Sequence, residues 1–222
     1  MNWPICRSRV NEFLENLLVF QLEVDDYQGW LTNGSNNFRN LIATTVPYKG
    51  TRPNKKPTHY DEIRNYLVSD WGFTVEYEQE ADDAIGIAAT ELGDESIICT
   101  IDKDLDNIPG WHYNFVKHRK YYVTPDEALQ NFYLQILTGD RIDNVQGLRG
   151  IGPVRASRIL EVGTLGVSSG RSLRERSCEY YNAVVEAYDG DSARVVENGQ
   201  LLWIRTKPGE IWQPPVFIEG NE

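Results

Sequence analysis

Residues 96–104, SIICTIDKD, combine a continuously apolar run with two aspartates that directly follow it. An apolar run of this length is typical of a strand buried inside a parallel sheet. Helical spacing at 58–70 and at 80–92 precedes it, and an alternating pattern at 73–77 predicts a further strand. Because strands that alternate with helices indicate an α/β architecture, we predict an α/β core with a parallel sheet over residues 1–124.

Three short acidic motifs stand at predicted element ends. One opens the helix at 80, one follows the apolar strand, and one follows a predicted helix at 125–138. In α/β proteins the carboxyl ends of parallel strands are where ligands bind, and carboxylate oxygens are the ligands that Mg²⁺ prefers. The candidate metal ligands are Glu80, Asp82, Asp83, Asp102, Asp104, Asp140 and Asp143.

Each motif alone has an ordinary explanation. Acids at a helix N-terminus commonly cap it, and an isolated pair such as Asp102 and Asp104 is more often part of a turn. Asp140 and Asp143 are three residues apart, so we expect them to share one face of a helical turn. The occurrence of all three motifs in one chain favours metal binding. Two ions could hold the attacking water and the leaving oxygen of a phosphodiester hydrolysis.

A glycine-rich segment, GLRGIGPVRASRIL at 147–160, abuts the third motif. Gly150 and Gly152 permit a tight hairpin with positive φ, and the helix that follows can present free N–H groups to a phosphate. The pattern predicts a helix-hairpin-helix that binds nucleic-acid backbone, with Arg149, Arg155 and Arg158 as further contacts. The alternative is a helix–helix turn without a ligand.

We therefore divide the chain into an α/β core at 1–124, a helix-hairpin-helix region at 125–170, and a C-terminal helix with a tail at 171–222 that packs on the core. At the other end, apolar spacing predicts a helix at 9–18 and a strand at 19–24.

Composition limits the classes of protein. The 222 residues carry a net charge of −11, which is unusual for a nucleic-acid binder, although net charge does not describe a local groove. Basic residues do cluster at Lys49, Arg52, Lys55 and Lys56. The three cysteines are widely spaced, and neither a secretory signal nor an 18-residue apolar run is present. We expect a cytoplasmic protein without membrane association.

The order of the motifs EADD, DKD, GDRIDN and GLRGIG resembles that of the 5′-nuclease family. This family contains phage 5′-exonucleases, flap endonucleases and the 5′-nuclease domain of bacterial DNA polymerase I. The resemblance runs from about Asn37 to Leu160. The segments NFR at 37–39 and YKGTR at 48–52 are also similar to phage members.

The resemblance implies a PIN-like parallel-sheet core with a helical subdomain. It also implies a metal-dependent 5′–3′ exonuclease or flap endonuclease of DNA replication. Such an enzyme would act as a monomer and would hydrolyse DNA with 5′ ends, flaps or nicks, and RNA in hybrids. Two Mg²⁺ or Mn²⁺ ions are implied, with a K⁺ ion at the hairpin. The first metal would be held by Glu80, Asp82, Asp83 and Asp102, and the second by Asp104, Asp140 and Asp143.

The same resemblance assigns roles to basic residues. Lys49 would stabilise the scissile phosphate with help from Arg52, Gly150 and Gly152 would hold duplex backbone, and a short arch would span about 49–72. The family also begins with a strand that ends in a metal-binding aspartate, and no such pattern precedes the first predicted helix. Two alternatives therefore stay open: a non-catalytic, structure-specific DNA-binding module, and an RNase of the related toxin type, which generally lacks the hairpin.

Overall fold

The computed structural model describes residues 2–34, 37–51, 55–163 and 170–216, with the side chains of 162 and 163 left out. The chain forms two compact units. One unit comprises residues 1–37 and 53–85, and the other comprises 38–52 and 86–222.

The elements up to residue 92 include four α-helices and two strands. In chain order they are α1 (Trp3–Glu15), a π-helical segment (Asn16–Leu22), β1 (Trp30–Thr32), α2 (Arg39–Ile42), α3 (Tyr60–Trp71), β2 (Thr74–Glu76) and α4 (Ala81–Leu92).

The elements after residue 92 end in a run of helices. They are a 3₁₀ turn (Gly93–Glu95), β3 (Ile97–Cys99), a second 3₁₀ turn (Lys103–Asn107), β4 (Gly110–Asn114), β5 (Arg119–Val123), α5 (Pro125–Thr138), β6 (Gly139–Asp140), β7 (Val145–Gln146), α6 (Pro153–Gly163), α7 (Leu173–Ala187) and α8 (Ser192–Leu202).

The first unit joins a small parallel sheet to two helices. β1 pairs with β2 in parallel, with Trp30 opposite Thr74. α1 packs on α3, where Tyr66 donates its hydroxyl proton to Asn11 Oδ1 at 2.6 Å. The predicted strand at 19–24 is wrong, because most of it continues the helix as a π-helical segment in which Val19 and Phe20 are exposed. No neighbouring strand pairs with these residues in the described part of the chain.

The second unit contains a three-stranded sheet and a helical core. β3 pairs with β4 in parallel, and β4 pairs with β5 in antiparallel orientation. The prediction of parallel strands between helices is confirmed, although they form separate small sheets. A capping box of Thr124 and Glu127 starts α5, whose buried Phe132, Ile136 and Leu137 pack in one core with α6, α7 and α8. This core holds α5 firmly, so side chains on α5 can position the loops next to it.

Across the described ranges, no helix is both long enough and apolar enough to cross a bilayer.

Candidate metal centre

The second acidic motif lies on the 3₁₀ turn that follows β3. Asp102 caps this turn, since its Oδ1 accepts a hydrogen bond from the backbone N–H of Asp104 at 3.0 Å. Thr100 Oγ1 accepts from the N–H of Asp102 at 2.9 Å. The two aspartates therefore lie on a turn and not on an extended continuation of the strand. The turn is anchored by Leu105 and Ile108, each 1% exposed.

Asp104 meets other carboxyl groups. The carboxyl groups of Asp102, on the same turn, and of Asp140, on the third acidic motif, lie close enough to act on it electrostatically. Burial, followed by the charges of Asp102 and Asp140, raises the pKa of Asp104 to about 7. Carboxylates gathered in this way repel each other unless a proton or a cation lies between them. The second and third motifs thus form one acidic centre.

The third motif is a tight turn between two very short strands. β6 and β7 pair in antiparallel orientation, with Asp140 opposite Val145. Asp140 Oδ1 accepts hydrogen bonds from the N–H groups of Ile142 at 2.6 Å and Asp143 at 3.0 Å. The predicted helical turn for Asp140 and Asp143 is therefore wrong. An aspartate side chain that bonds to backbone two and three residues on favours a turn over a helix.

Gly139 is the residue that allows this turn. Its φ is +70°, and a Cβ there would lie 2.2 Å from the backbone nitrogen of Gly147. No other residue type could bring the end of α5 so close to the returning chain.

Lys49 lies beside Asp143. Tyr48 donates its hydroxyl proton to Asp143 Oδ2 at 2.6 Å, and Lys49 Nζ lies 3.4 Å from the same oxygen. The backbone is also joined, because Lys49 N–H donates to Asp143 O at 2.8 Å and Asn144 Nδ2 donates to Pro47 O at 2.8 Å. The segment at 47–49 is thus docked on the third acidic motif. Arg52, the other predicted basic residue, lies outside the described residues.

Glu197, a carboxylate on α8, holds the residues that lead into the segment at 47–49. Glu197 Oε1 accepts hydrogen bonds from the N–H groups of Thr44 and Thr45, each at 2.7 Å. Burial disfavours the charged carboxylate, but the hydrogen bonds from Thr45 and Thr44 outweigh it, so the pKa of Glu197 is lowered. The sequence contained no signal for Glu197, because it acts through contacts with residues more than 150 positions away.

The first acidic motif belongs to the other unit and opens α4. Asp83 has no exposed surface, and its Oδ2 accepts a hydrogen bond from the N–H of Glu80 at 3.0 Å. Thr32 Oγ1 accepts from the N–H of Ala81 at 2.9 Å. Glu80 is also buried, at 5% exposed. The capping explanation therefore holds for Asp83, whatever further role it has.

Within the described ranges, no three Asp, Glu, His or Cys side chains stand close enough together to hold a metal ion as they are arranged. Asp140 and Asp143 already accept hydrogen bonds from backbone and side-chain donors.

The glycine-rich segment forms a hairpin before α6. Gly150 has φ +78°, as predicted, whereas Gly152 does not adopt a positive φ. Ile151 N–H donates to Leu148 O at 3.2 Å, and Ala156, fully buried, faces the core. Arg149, Arg155 and Arg158 are exposed. Arg155 Nη1 donates to Gly150 O at 3.1 Å, so this arginine closes the hairpin itself.

Sequence comparison finds similarity to a DNA polymerase I and to a flap endonuclease. No family model matches the chain. An alignment 97 positions long, which covers 37% of this chain and 9% of DNA polymerase I of Rhizobium leguminosarum, shows 36% identity. One 118 positions long, which covers 46% of this chain and 44% of flap endonuclease Xni of Shewanella piezotolerans, shows 30% identity. The matches thus span less than half the length of either relative.

Structure comparison covers more of the chain. The bacteriophage T5 5′-exonuclease with bound zinc superposes with a TM-score of 0.61 over 90% of this chain and 82% of that one, at 18% identity. The T5 flap endonuclease in a pseudo-enzyme–product complex with DNA and metal ions gives 0.63 over 88% and 79%, at 17% identity. The structural neighbours show that the chain has the fold of the phage T5 5′-exonuclease. Together with the two sequence relatives, they support the resemblance to the 5′-nuclease family stated from the motifs.

Proposed function

We propose that this chain is a divalent-metal-dependent nuclease that hydrolyses DNA at or near 5′ ends, as a 5′–3′ exonuclease or flap endonuclease. The observation that carries the proposal is the acidic centre, in which Asp104 is partly buried beside Asp102 and Asp140 and its pKa is raised to about 7. Structural carboxylates are normally paired with donors or cations, and a pair of acids facing each other calls for a cation.

The donor set fits hard cations. Asp102, Asp104, Asp140 and Asp143 offer only oxygen atoms, as Mg²⁺ and Mn²⁺ prefer. By the family resemblance, Glu80, Asp82 and Asp83 would also serve as metal ligands. When bound, two such ions would lower the pKa of the attacking water and stabilise the leaving oxygen.

The remaining residues would bind and orient the substrate. Lys49 has its ammonium group at the acidic centre, where it could contact the scissile phosphate, and Tyr48 would hold Asp143 in place. The hairpin at Gly150 and Gly152, with exposed Arg149, Arg155 and Arg158 around it, would bind duplex backbone, with K⁺ at its carbonyl groups. Arg52 would assist Lys49.

The relatives support the substrate class. One is named a flap endonuclease, and one structural neighbour is described in a complex with DNA and metal ions. We therefore propose DNA with 5′ flaps, nicks or ends as substrate, RNA in hybrids as a second substrate, and action as a monomer in the cytoplasm.

Cleavage of a 5′-labelled flap duplex tests the proposal. The wild-type protein should cut in Mg²⁺ and Mn²⁺ but not in EDTA, and Asp140→Asn should abolish cutting. Asp25→Asn, which neutralises an exposed aspartate of the other unit, is the matched control and should cut like the wild type. Cutting that persists in EDTA or in Asp140→Asn would contradict the two-metal mechanism.

The sequence leaves a second function open. That function is a non-catalytic module that binds branched DNA. Such a module would bind a flap duplex in EDTA and leave it uncut in both metals.

A further inference from the structure

Two amides connect the acidic centre to the helical core. Gln135 Nε2, on α5, donates a hydrogen bond to Asp104 Oδ1 at 2.6 Å. Asn107 Nδ2, on the 3₁₀ turn, donates to Gln135 Oε1 at 2.6 Å. Asn107 is buried, at 8% exposed. We propose that Asn107 and Gln135 are positioning residues that fix Asp104 as a metal ligand, an inference that rests on the proposed function.

The direction of the two hydrogen bonds is the basis of the proposal. A glutamine side chain has one donor end and one acceptor end, and either end can face a given neighbour. Because Asn107 donates to the oxygen of Gln135, the nitrogen of Gln135 must face Asp104. A carboxylate can accept from that nitrogen, whereas it would be repelled by the oxygen. The two bonds therefore favour the same orientation of Gln135, in which it stabilises an ionised Asp104, and the donor of Asn107 supports that orientation.

This arrangement also gives Asp104 a fixed donor. The hydrogen bond from Gln135 engages Oδ1. Residues that hydrogen-bond to a metal-binding side chain hold it in the binding geometry before the ion arrives, and their loss typically weakens metal affinity by about 10- to 100-fold. The hydrogen-bonded pair of Asn107 and Gln135 thus preorganises the side chain of Asp104, which lies on a short turn.

The helix that carries Gln135 is suited to this role. α5 is fixed by the core residues Phe132 and Ile136, each at most 1% exposed. A further bond, from Asn131 Nδ2 to Asp106 O at 3.2 Å, ties the same turn to the same helix. Two side chains on one face of α5, Asn131 and Gln135, therefore hold the turn that carries Asp104 against the rigid core.

Mn²⁺ binding without DNA, followed by calorimetry or electron paramagnetic resonance, tests the proposal apart from catalysis. Gln135→Met keeps the length of the side chain and removes both polar groups, so it should weaken Mn²⁺ binding by about tenfold or more. The matched control is Gln130→Met, the same substitution five residues earlier in α5, which should bind Mn²⁺ like the wild type. Thermal unfolding in EDTA should be similar for both variants.

Substitutions at Asn107 test the direction of the two hydrogen bonds, from Asn107 to Gln135 and from Gln135 to Asp104. Asn107→Asp offers only acceptors, so Gln135 should turn its nitrogen toward the new carboxylate and its oxygen toward Asp104. Mn²⁺ binding should then be weaker than in Asn107→Leu, which removes the donor without reversing the glutamine. In a Gln135→Met background Asn107→Asp should no longer bind Mn²⁺ more weakly than Asn107→Leu, because no amide remains to turn and only the added negative charge distinguishes the two.

The outcomes separate this inference from the proposed function. A wild-type protein that neither binds Mn²⁺ nor cuts DNA overturns both. A second outcome is that the wild-type protein binds Mn²⁺ but Gln135→Met binds it equally well, or Asn107→Asp and Asn107→Leu bind it with equal affinity. This outcome overturns the positioning role of Asn107 and Gln135 and leaves the nuclease proposal standing. The ordered losses predicted above support both.

Discussion

Asp83 and Asp104 are both removed from solvent to a large extent, but their surroundings differ in kind. Asp83 accepts a hydrogen bond from the N–H of Glu80 at the start of a helix, where the helix dipole also favours a negative charge. Asp104 faces Asp140 and has the charge of Asp102 nearby, and its pKa is raised to about 7. The fold gives Asp83 a backbone donor, whereas Asp104 has one side-chain donor, Gln135, and like-charged neighbours. Sequence motifs of the same composition can thus have different roles.

The largest effect is expected for the acidic centre. Asp104→Asn should lower flap cleavage by about 1000-fold, since a metal ligand is removed and such a loss corresponds to ~4 kcal/mol of transition-state stabilisation. Thermal unfolding in EDTA should shift upward, because a like charge is removed. Single-turnover cleavage and calorimetry measure the two quantities. If Asp104→Asn instead unfolds at a lower temperature in EDTA, the carboxylate of Asp104 stabilises the fold as that of Asp83 does, and the contrast between them fails.

The next effect is expected at Lys49. Lys49→Met should lower the rate of cleavage by about 100-fold, or ~3 kcal/mol, because the ammonium beside Asp143 is lost. Its effect on flap-duplex affinity should be much smaller, which a titration in Ca²⁺ would check. The control is Lys207→Met, at an exposed lysine of the same unit. Equal losses of affinity and rate would show that Lys49 contributes only general attraction for DNA.

Asp83 gives a stability effect of intermediate size. Asp83→Ala removes a buried cap and should lower the free energy of unfolding by about 1–2 kcal/mol. Asp83→Asn keeps an acceptor oxygen and should cost much less. Urea denaturation in EDTA measures both. If Asp83→Asn remains stable but loses cleavage, Asp83 has both the capping role and the metal-binding role.

The smallest effect concerns Glu197, a third carboxylate, whose partners are Thr44 and Thr45. Its pKa is lower in the folded protein than in the unfolded chain, so its contribution to stability is complete above the unfolded pKa of about 4.5. That contribution is lost as the pH falls through the folded pKa. Glu197→Gln should flatten this part of the stability–pH curve. Unfolding measured between about pH 5 and pH 3 would show it, with Glu186→Gln as the control.

Local patterns predicted several features correctly. The apolar run that begins at residue 96 contains a strand in a parallel pair, and the helix predicted at 125–138 is α5. Gly150 adopts the positive φ that its place in the hairpin suggested. These features depend on few neighbouring residues, so composition and spacing carry the information.

Other predictions failed because distant residues decide the outcome. The segment at 19–24 has the composition of a strand, yet it mostly continues α1 as a π-helical segment. Asp140 and Asp143 have helical spacing, but the side chain of Asp140 bonds to the backbone ahead of it and closes a turn. Gln135, Asn107 and Glu197 could not be selected from the sequence, because each acts through partners that the fold brings near.

The sequence by itself determined the acidic motifs, the hairpin and the family resemblance, because these are sets of residues whose chemistry is fixed by type and spacing. Only the tertiary structure decided how the carboxylates are used. It pairs Asp104 with Asp140, gives Asp83 a backbone N–H and docks Lys49 on Asp143. The physical reason is that the free energy of a carboxylate depends on its burial and on the donors and charges within a few ångströms, and those neighbours come from elements far apart in the chain.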